Sequence, residues 1–467
     1  MHRKEVFLKY LFLLGLALST AYGSYSLFNF SFSQGFSLVV FIVSVMGALL
    51  FWEFRLSFAL LGSALLIIFK IVDLEKFLFF SSLEIILFLI GMMILLGNLK
   101  EMGFFDWSLS KLLKIRALTA RKLLFIIIFL SALSSCLMGE VSSIIFIIVF
   151  IFSIADYFEV EPWPYVLIAV LATNIGSTGT VLGNPVGILI ATKVGLHFED
   201  FLKHSFILMI VLLFLFYFVS LFLFRKHLKF LDRQIKKLGP SEMFSQLVII
   251  PVDFNLKVSV LFFISTILII AFHYRIELLL GLKENTILLI SPLVISGILI
   301  IWRRKKARLY IERDVEWWTI LFFLFLFAQA GVLQHTGVAK TFASYFYNII
   351  AGNRMVFIIA VILFTSLFSG LVDNVVVVAA FIPIIKEVLV FHPEFSGVCW
   401  WALLYGACLG GNFTHIGSTA NIVALGILEK EKATKIGLRR WLVFGFSSTI
   451  LLLFLSFVVF YLLPWYK

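Results

Sequence analysis

The sequence predicts an all-α polytopic membrane protein with about 10–12 transmembrane helices, built from two inverted repeats that each contain a re-entrant hairpin and a discontinuous helix. Hydrophobic residues make up 62% of the 467-residue chain and charged residues 14%, against about 25% charged residues in soluble domains. Uncharged runs recur at the length that crosses a hydrocarbon layer, and the pattern lacks the alternation of an outer-membrane barrel. Lysine and arginine are grouped in short segments between these runs.

The N-terminal segment "MHRKEVFLKYLFLLGLALSTAYGS" combines a basic start, an apolar run and small residues near Ala21 to Gly23. This composition is found in cleaved signal peptides, but a retained first helix is the preferred interpretation. The rest of the topology is the same in both cases.

The basic segments give the orientation, because cytoplasmic loops carry an excess of lysine and arginine. This rule places five segments on the cytoplasmic side: His2 to Lys9, Lys100 to Lys122, and those starting at Arg225, Trp302 and Glu429. An even number of spans then fits between the first two segments: Val6 to Gly23, Phe36 to Trp52, Leu56 to Val72 and Ser82 to Leu99. Leu256 to Phe272 and Asn285 to Ile301 form another even pair.

Two apolar segments are too long for one crossing and are interrupted by small or polar residues: Lys122 to Tyr157 and Met355 to Phe391. Each predicts a hairpin or a broken helix. A glycine-rich span and a final crossing follow in both halves, with opposite orientation, as in an inverted-repeat transporter. The predicted organisation is 1–75 N-terminal helices, 76–228 first transport repeat, 229–310 basic loop and linking helices, and 311–467 second repeat.

The letters "IGST" occur in both glycine-rich spans, at Ile175 and at Ile416. Backbone groups freed from helical bonding are tolerated inside a membrane only beside a cavity or within protein. The helix ends created there offer dipoles and carbonyl oxygens for an ion. The polar candidates are Asn174, Ser177, Thr178, Thr180, Asn184, Asn412, His415, Ser418, Thr419 and Asn421. The alternative is that small residues allow tight helix contacts and hydroxyls bond back to the backbone.

The hairpins carry acidic residues, and an intramembrane carboxylate is a functional candidate because its burial is costly. In "SGLVDNVVVVAAFIPII" these are Asp373 with Asn374, and in the first hairpin Glu140 with Ser142. Asp373 is the candidate sodium site, since a carboxylate can hold a cation and release it on protonation. The alternatives are that Asp373 caps the following helix and that Glu140 reaches cytoplasmic water.

Five motifs resemble the ArsB/NhaD permease family of the ion transporter superfamily, which also includes the P protein and citrate or dicarboxylate carriers. They begin at Ser81, Leu171, Asp314, Ser369 and Gly410. The resemblance implies an alternating-access secondary transporter, often dimeric. Sodium/proton exchangers of this group tend to carry Asp-Asn in both hairpins, and arsenite carriers tend to have asparagine there. Asp373-Asn374 matches the exchangers, whereas Gly139 and Glu140 depart from the pattern in the first hairpin.

Sodium/proton antiport is therefore the predicted function, and export of arsenite or antimonite, or carriage of an organic or inorganic anion, is the alternative. The expected partners are the lipid bilayer and a small ion, with a homodimer as the resemblance implies. Cofactors, nucleic acid and reaction chemistry are not expected: the basic residues are explained by topology, a phosphate-binding Gly-x-x-x-x-Gly-Lys motif is missing, and an intramembrane hydrolase would need a second suitable aspartate or a serine motif. A bacterial inner membrane is the expected location.

Overall fold

The computed structural model describes residues 2–104, 107, 119–238, 253–350 and 352–463. Within these residues the chain is helical and contains no strand. In this part of the chain, 11 helices are long and apolar enough to cross a membrane. They are Val6–Ser26, Phe32–Leu50, Leu83–Glu101, Ala120–Met138, Glu140–Tyr157, Phe198–Leu223, Phe254–Ala271, Trp317–His335, Arg354–Leu371, Asn374–Phe391 and Leu438–Leu462. The fold class predicted from the sequence is confirmed.

The third N-terminal segment differs from the predicted crossing over Leu56 to Val72. It forms the helix Arg55–Ile68, whose 14 residues span about 21 Å at 1.5 Å per residue, and a separate short helix, Leu74–Phe80, follows it. Gln329 in the span Trp317–His335 donates to the Ala59 carbonyl at 2.9 Å. This hydrogen bond fastens the helix Arg55–Ile68 to a span of the second half.

Both predicted hairpins are present. Ala120–Met138 and Glu140–Tyr157 form the first hairpin. Arg354–Leu371 and Asn374–Phe391 form the second hairpin. Each arm has 18 or 19 residues, long enough to cross the ~30 Å hydrocarbon layer.

Each hairpin is followed by an interrupted span made of two short helices. The first interrupted span consists of Trp163–Gly176 and Pro185–Val194, and the second of Ser396–Gly410 and Thr419–Lys432. Glycine allows the first half of each span to touch its hairpin. A Cβ at Gly176 would lie 2.2 Å from the Ala132 carbonyl oxygen, and one at Gly410 would lie 2.4 Å from the Ser366 Cα.

Equivalent positions of the two repeats are separated by the same number of residues throughout this region. Glu140 corresponds to Asn374, 234 positions later, and Gly176 corresponds to Gly410 at the same separation. Two further contacts repeat in this register: Thr180 donates to the Cys136 carbonyl and Thr414 donates to the Gly370 carbonyl, both at 2.5 Å. The repeat is thus structural as well as topological.

The shared letters "IGST" do not mark equivalent positions. Ile175 and Gly176 end the first half-helix of the first interrupted span, whereas Ser418 and Thr419 begin the second half-helix of the other span. The prediction of interrupted spans at these letters is right, but the register that the letters imply is wrong. Packing and capping, not letter identity, define the correspondence.

The remaining helices close the two repeats and connect them. The final crossings of both repeats contain a π-helical turn near the start, at Phe201–Phe206 and Leu442–Phe446. The basic segment after Trp302 turns by 101° from the preceding helix and continues as Arg304–Asp314. The other connecting helices are Arg225–Leu238, His273–Leu280, Thr286–Trp302 and Val338–Ile350.

Candidate functional site

The tips of the two hairpins meet the interruptions of the two spans. Asn374 Nδ2 donates to Glu140 Oε2 at 3.4 Å, and Thr419 Oγ1 donates to Asp373 Oδ2 at 2.6 Å. Ser418 Oγ lies 3.5 Å from the other Glu140 oxygen. Glu140 is 4% and Asp373 8% exposed. We refer to Glu140 and Asp373 as the carboxylate pair, since both repeats place one acidic group in this junction.

Helix N-termini surround the carboxylate pair. The helices that begin at Glu140, Pro185, Asn374 and Thr419 all start at the junction. Their dipoles place partial positive charge there and favour ionised carboxylates. Asp373 Oδ1 accepts from the Val375 N–H at 3.0 Å, so Asp373 is a helix cap. Its second oxygen faces Thr419, and capping therefore coexists with a place in the junction.

One acceptor oxygen at the junction is left without a donor. The buried Asn374 Oδ1 has no hydrogen-bond partner among the described residues. Within the same part of the chain, no lysine, arginine or histidine nitrogen lies within 4.0 Å of either member of the carboxylate pair. Oxygens of carboxylates and amides are the ligands that hard cations prefer. The geometry therefore suits a small cation.

Three buried asparagines form a second group that joins the two repeats. Asn174 Nδ2 donates to Asn412 Oδ1 at 2.7 Å and to Asn421 Oδ1 at 2.9 Å. Asn174 Oδ1 accepts from Ser418 Oγ at 3.1 Å. Asn412 and Asn421 donate onward to backbone carbonyls. Because these amide groups are already paired, the asparagine group (Asn174, Asn412 and Asn421) fastens the repeats together in this conformation.

The half-helix caps repeat with the same register. Asn184 caps the helix Pro185–Val194 and its amide donates to Ser177 Oγ at 2.9 Å and Cys408 Sγ at 3.1 Å. Ser418 caps the equivalent half-helix and bonds Asn174. Cys408 and Asn174 are themselves separated by the repeat distance of 234 residues. Each cap thus contacts the helix of the opposite repeat at an equivalent position.

The other candidates from the sequence make no direct hydrogen bond to the carboxylate pair among the described residues. Thr178 Oγ1 bonds back to the Ile175 carbonyl at 2.8 Å, as the backbone-bonding alternative predicts, and Thr180 ties its interruption to the first hairpin. His415 is half-buried, and its Nδ1 has no partner in the described parts of the chain. Ser142 lines the adjoining cavity.

A cavity of about 470 Å³ connects the carboxylate pair with the basic side of the molecule. Its lining includes Glu140, Val375 and Thr419 from the junction, together with the basic residues Lys100 and Arg313. Asp314, Glu316 and Thr319 also line the cavity. The sequence places Lys100 and Arg313 in segments predicted to face the cytoplasm.

Sequence reasoning missed several residues around this cavity. They include Glu316 and Thr319, which line the cavity, and Cys408, which accepts a hydrogen bond from Asn184. Arg55 is 5% exposed and begins the helix Arg55–Ile68. A signal for Arg55 was available, because an arginine flanked by apolar residues in "FWEFRLSFAL" is an intramembrane ionisable group.

The fold and the site define a class of protein. Repeated hairpins and interrupted helices that converge on buried carboxylates beside a cavity are the architecture of secondary transporters. The chain is a multi-pass membrane transporter.

Its family is shown by the sequence. The model of the citrate transporter family (CitMHS) matches residues 39–406 and 332–467, and the chain belongs to this family. An uncharacterised transporter of Mycobacterium tuberculosis is 28% identical over 389 residues, which cover 80% of this chain and 86% of that protein. The P protein of Homo sapiens is 25% identical over 421 residues, covering 74% of this chain and 50% of that protein.

Among solved structures, the YdaH transporter of Alcanivorax borkumensis is similar in fold. It aligns with a TM-score of 0.51 and 14% identity over 82% of this chain and 85% of that chain. The sequence identity to the P protein agrees with the relationship that the sequence motifs imply. The narrower assignment to the ArsB/NhaD permeases is not confirmed by these matches.

Proposed function

We propose that the protein exchanges a cation, sodium in the first place, for protons by alternating access, with Asp373 as the coupling carboxylate. The observation that carries this proposal is the carboxylate pair itself. Glu140 and Asp373 are buried beside the unpartnered Asn374 Oδ1, with no basic nitrogen within ion-pair distance among the described residues. A buried carboxylate is stabilised when a cation or a proton neutralises it.

Exchange follows from this requirement. Asp373 binds either a cation or a proton, because each neutralises the same charge. The cavity beside Lys100 and Arg313 gives the cytoplasm access to the site in the described conformation. Access from the opposite side requires the hairpins and interrupted spans to move relative to the N-terminal helices. The proposal includes the ArsB/NhaD-like role of the Asp-Asn pair, a homodimer and a bacterial inner membrane.

An anion carrier is the second candidate. The convergent helix N-termini favour negative charge, and the matching family is named for citrate. Lys100 and Arg313 on the cavity wall would attract an anion. The carboxylate pair opposes this function, because Glu140 and Asp373 already occupy the positive helix ends. Arsenite, antimonite and dicarboxylates are the substrates that this candidate predicts.

Proteoliposomes with an imposed pH gradient test the two functions. Purified protein is reconstituted, and proton movement is followed on addition of sodium, lithium, arsenite or a dicarboxylate. Antiport predicts proton movement with sodium and its loss, by about 100-fold or more, in Asp373→Asn, because the amide keeps the helix cap but removes the charge. Asp73→Asn is the matched control, since Asp73 also caps a helix but lies on the surface.

Uptake of labelled arsenite or dicarboxylate without sodium-dependent proton movement would instead support the anion carrier. Full antiport activity in Asp373→Asn would refute the assigned role of Asp373. Circular dichroism and size-exclusion profiles establish that the variant folds as the wild-type protein does.

A further inference from the structure

Arg55 is a buried cation beside the cavity. Its side chain lies against the Trp52 ring, with 3.9 Å between the guanidinium carbon and the ring centroid. Nη2 donates to Thr319 Oγ1 at 2.8 Å, whereas the buried Nε has no partner within the described residues. Within the same residues, no carboxylate oxygen lies within 4.0 Å of the guanidinium. A buried charge with so few partners calls for compensation by charges further away.

Thr319 connects Arg55 with the cavity. Its hydroxyl accepts from Arg55 and donates to Glu316 Oε2 at 3.2 Å. Thr319 and Glu316 line the same cavity as Val375 and Thr419. The Val375 N–H and the Thr419 hydroxyl donate to the two Asp373 oxygens. Arg55 is therefore bonded to one residue of the cavity lining, Thr319, and Asp373 is bonded to two others, Val375 and Thr419.

The charges that compensate Arg55 come from both sides. Asp373 and Glu316 are the acidic groups whose negative charges act favourably on the guanidinium. Glu140 belongs to the same junction, and Lys100, Arg313 and Asp314 line the cavity further along. Glu316 lies in the segment that leads into the span Trp317–His335, to which Arg55 is bonded through Thr319. Asp373 lies on a hairpin that the proposed function requires to move.

We propose that Arg55 is a fixed positive charge that competes with the transported cation for Asp373 and so lowers cation affinity when the site is open to the cytoplasm. This inference rests on the proposed function and adds a residue that sets affinity. A positive charge near a cation site opposes cation binding, and low local dielectric strengthens the effect. Release into the cytoplasm is favoured, since the empty Asp373 retains a counter-charge.

The test compares charge with shape at position 55. Arg55→Met removes the charge, Arg55→Lys keeps it, and Lys9→Gln removes an exposed cation from the same end of the N-terminal region. Sodium affinity is measured by sodium-dependent thermal stabilisation of the detergent-purified protein, and KM and kcat by proton movement in proteoliposomes at alkaline pH. Melting without sodium reports folding of each variant.

The expected result is a fall in the sodium Kd and KM of about tenfold in Arg55→Met, with a lower kcat because release is slower. Arg55→Lys should stay within about twofold of the wild type, and Lys9→Gln should match it. An unchanged sodium KM in Arg55→Met, or equal values in the Met and Lys variants, overturns the inference while leaving antiport intact. A wild-type protein without sodium-dependent stabilisation or exchange refutes the proposed function, and the role of Arg55 with it.

Discussion

The tips of the two hairpins are built on the same plan but place their acidic groups differently. In the second hairpin, Asp373 has φ −52° and caps the following helix with its side chain. The equivalent residue of the first hairpin is Gly139, with φ +83° and ψ 152°, a conformation that residues other than glycine rarely adopt. The first carboxylate therefore stands one position later, at Glu140, inside the first helical turn.

Because of this difference, the two carboxylates have different hydrogen-bond partners. One Asp373 oxygen accepts from the Val375 N–H in the same hairpin, and the other accepts from the Thr419 hydroxyl. Glu140, with a longer side chain, reaches across to Asn374 and Ser418 of the other repeat at 3.4 and 3.5 Å. The two tips thus differ in backbone conformation, although each contributes a carboxylate to the junction. We infer that Asp373 couples transport and that Glu140 adjusts the charge around it.

Glu140→Gln tests this division of roles and has the largest expected effect after Asp373→Asn. The single amide oxygen of glutamine can still accept from Asn374, and its Nε2 can donate to the Ser418 hydroxyl, but the charge is lost. Exchange should slow by about tenfold, less than in Asp373→Asn, and fewer protons should move per cation. Cation flux and proton flux, measured in the same proteoliposomes, give the ratio. Complete loss of activity would make the two carboxylates equal partners, and an unchanged ratio would remove Glu140 from the coupling.

Gly139→Ala tests the backbone difference. Nothing lies within 4 Å of a Cβ built at Gly139, so the expected loss of about 1–3 kcal/mol in the free energy of unfolding comes from the positive φ alone. Gly297→Ala is the matched control, because its Cβ also meets nothing but its backbone is helical, and alanine should stabilise it by up to about 1 kcal/mol. Thermal or denaturant unfolding in detergent measures both. Equal effects in the two variants would show that the tip tolerates an ordinary residue.

Variants of the half-helix caps should have the smallest effects, and the loss of stability should be similar in the two repeats. Asn184→Ala and Ser418→Ala each remove a cap and a bond to the opposite repeat. Each should lower the free energy of unfolding by about 1–2 kcal/mol. Because Ser418 also approaches Glu140, Ser418→Ala should alter sodium affinity as well, whereas Asn184→Ala should act mainly on stability. A cap variant that leaves stability unchanged would contradict the structural equivalence of the two caps.

The sequence by itself determined the membrane class, the hairpins, the interrupted spans and Asp373 as a candidate. These follow from local composition, because a hydrocarbon layer of ~30 Å requires long apolar runs and makes a carboxylate or a broken helix conspicuous. The length of the third N-terminal helix escaped this reasoning, since an apolar run does not reveal where a helix ends.

Only the tertiary structure decided which polar residues are already paired and which remain open. Asn174 bonds residues more than 230 positions away, and the 234-residue register is set by glycine contacts and caps instead of by the shared letters at Ile175 and Ile416. Arg55 likewise meets Thr319 across 264 positions. Hydrogen bonds and Coulombic forces depend on distance in space, and a linear pattern of residue types does not contain the distances between distant segments.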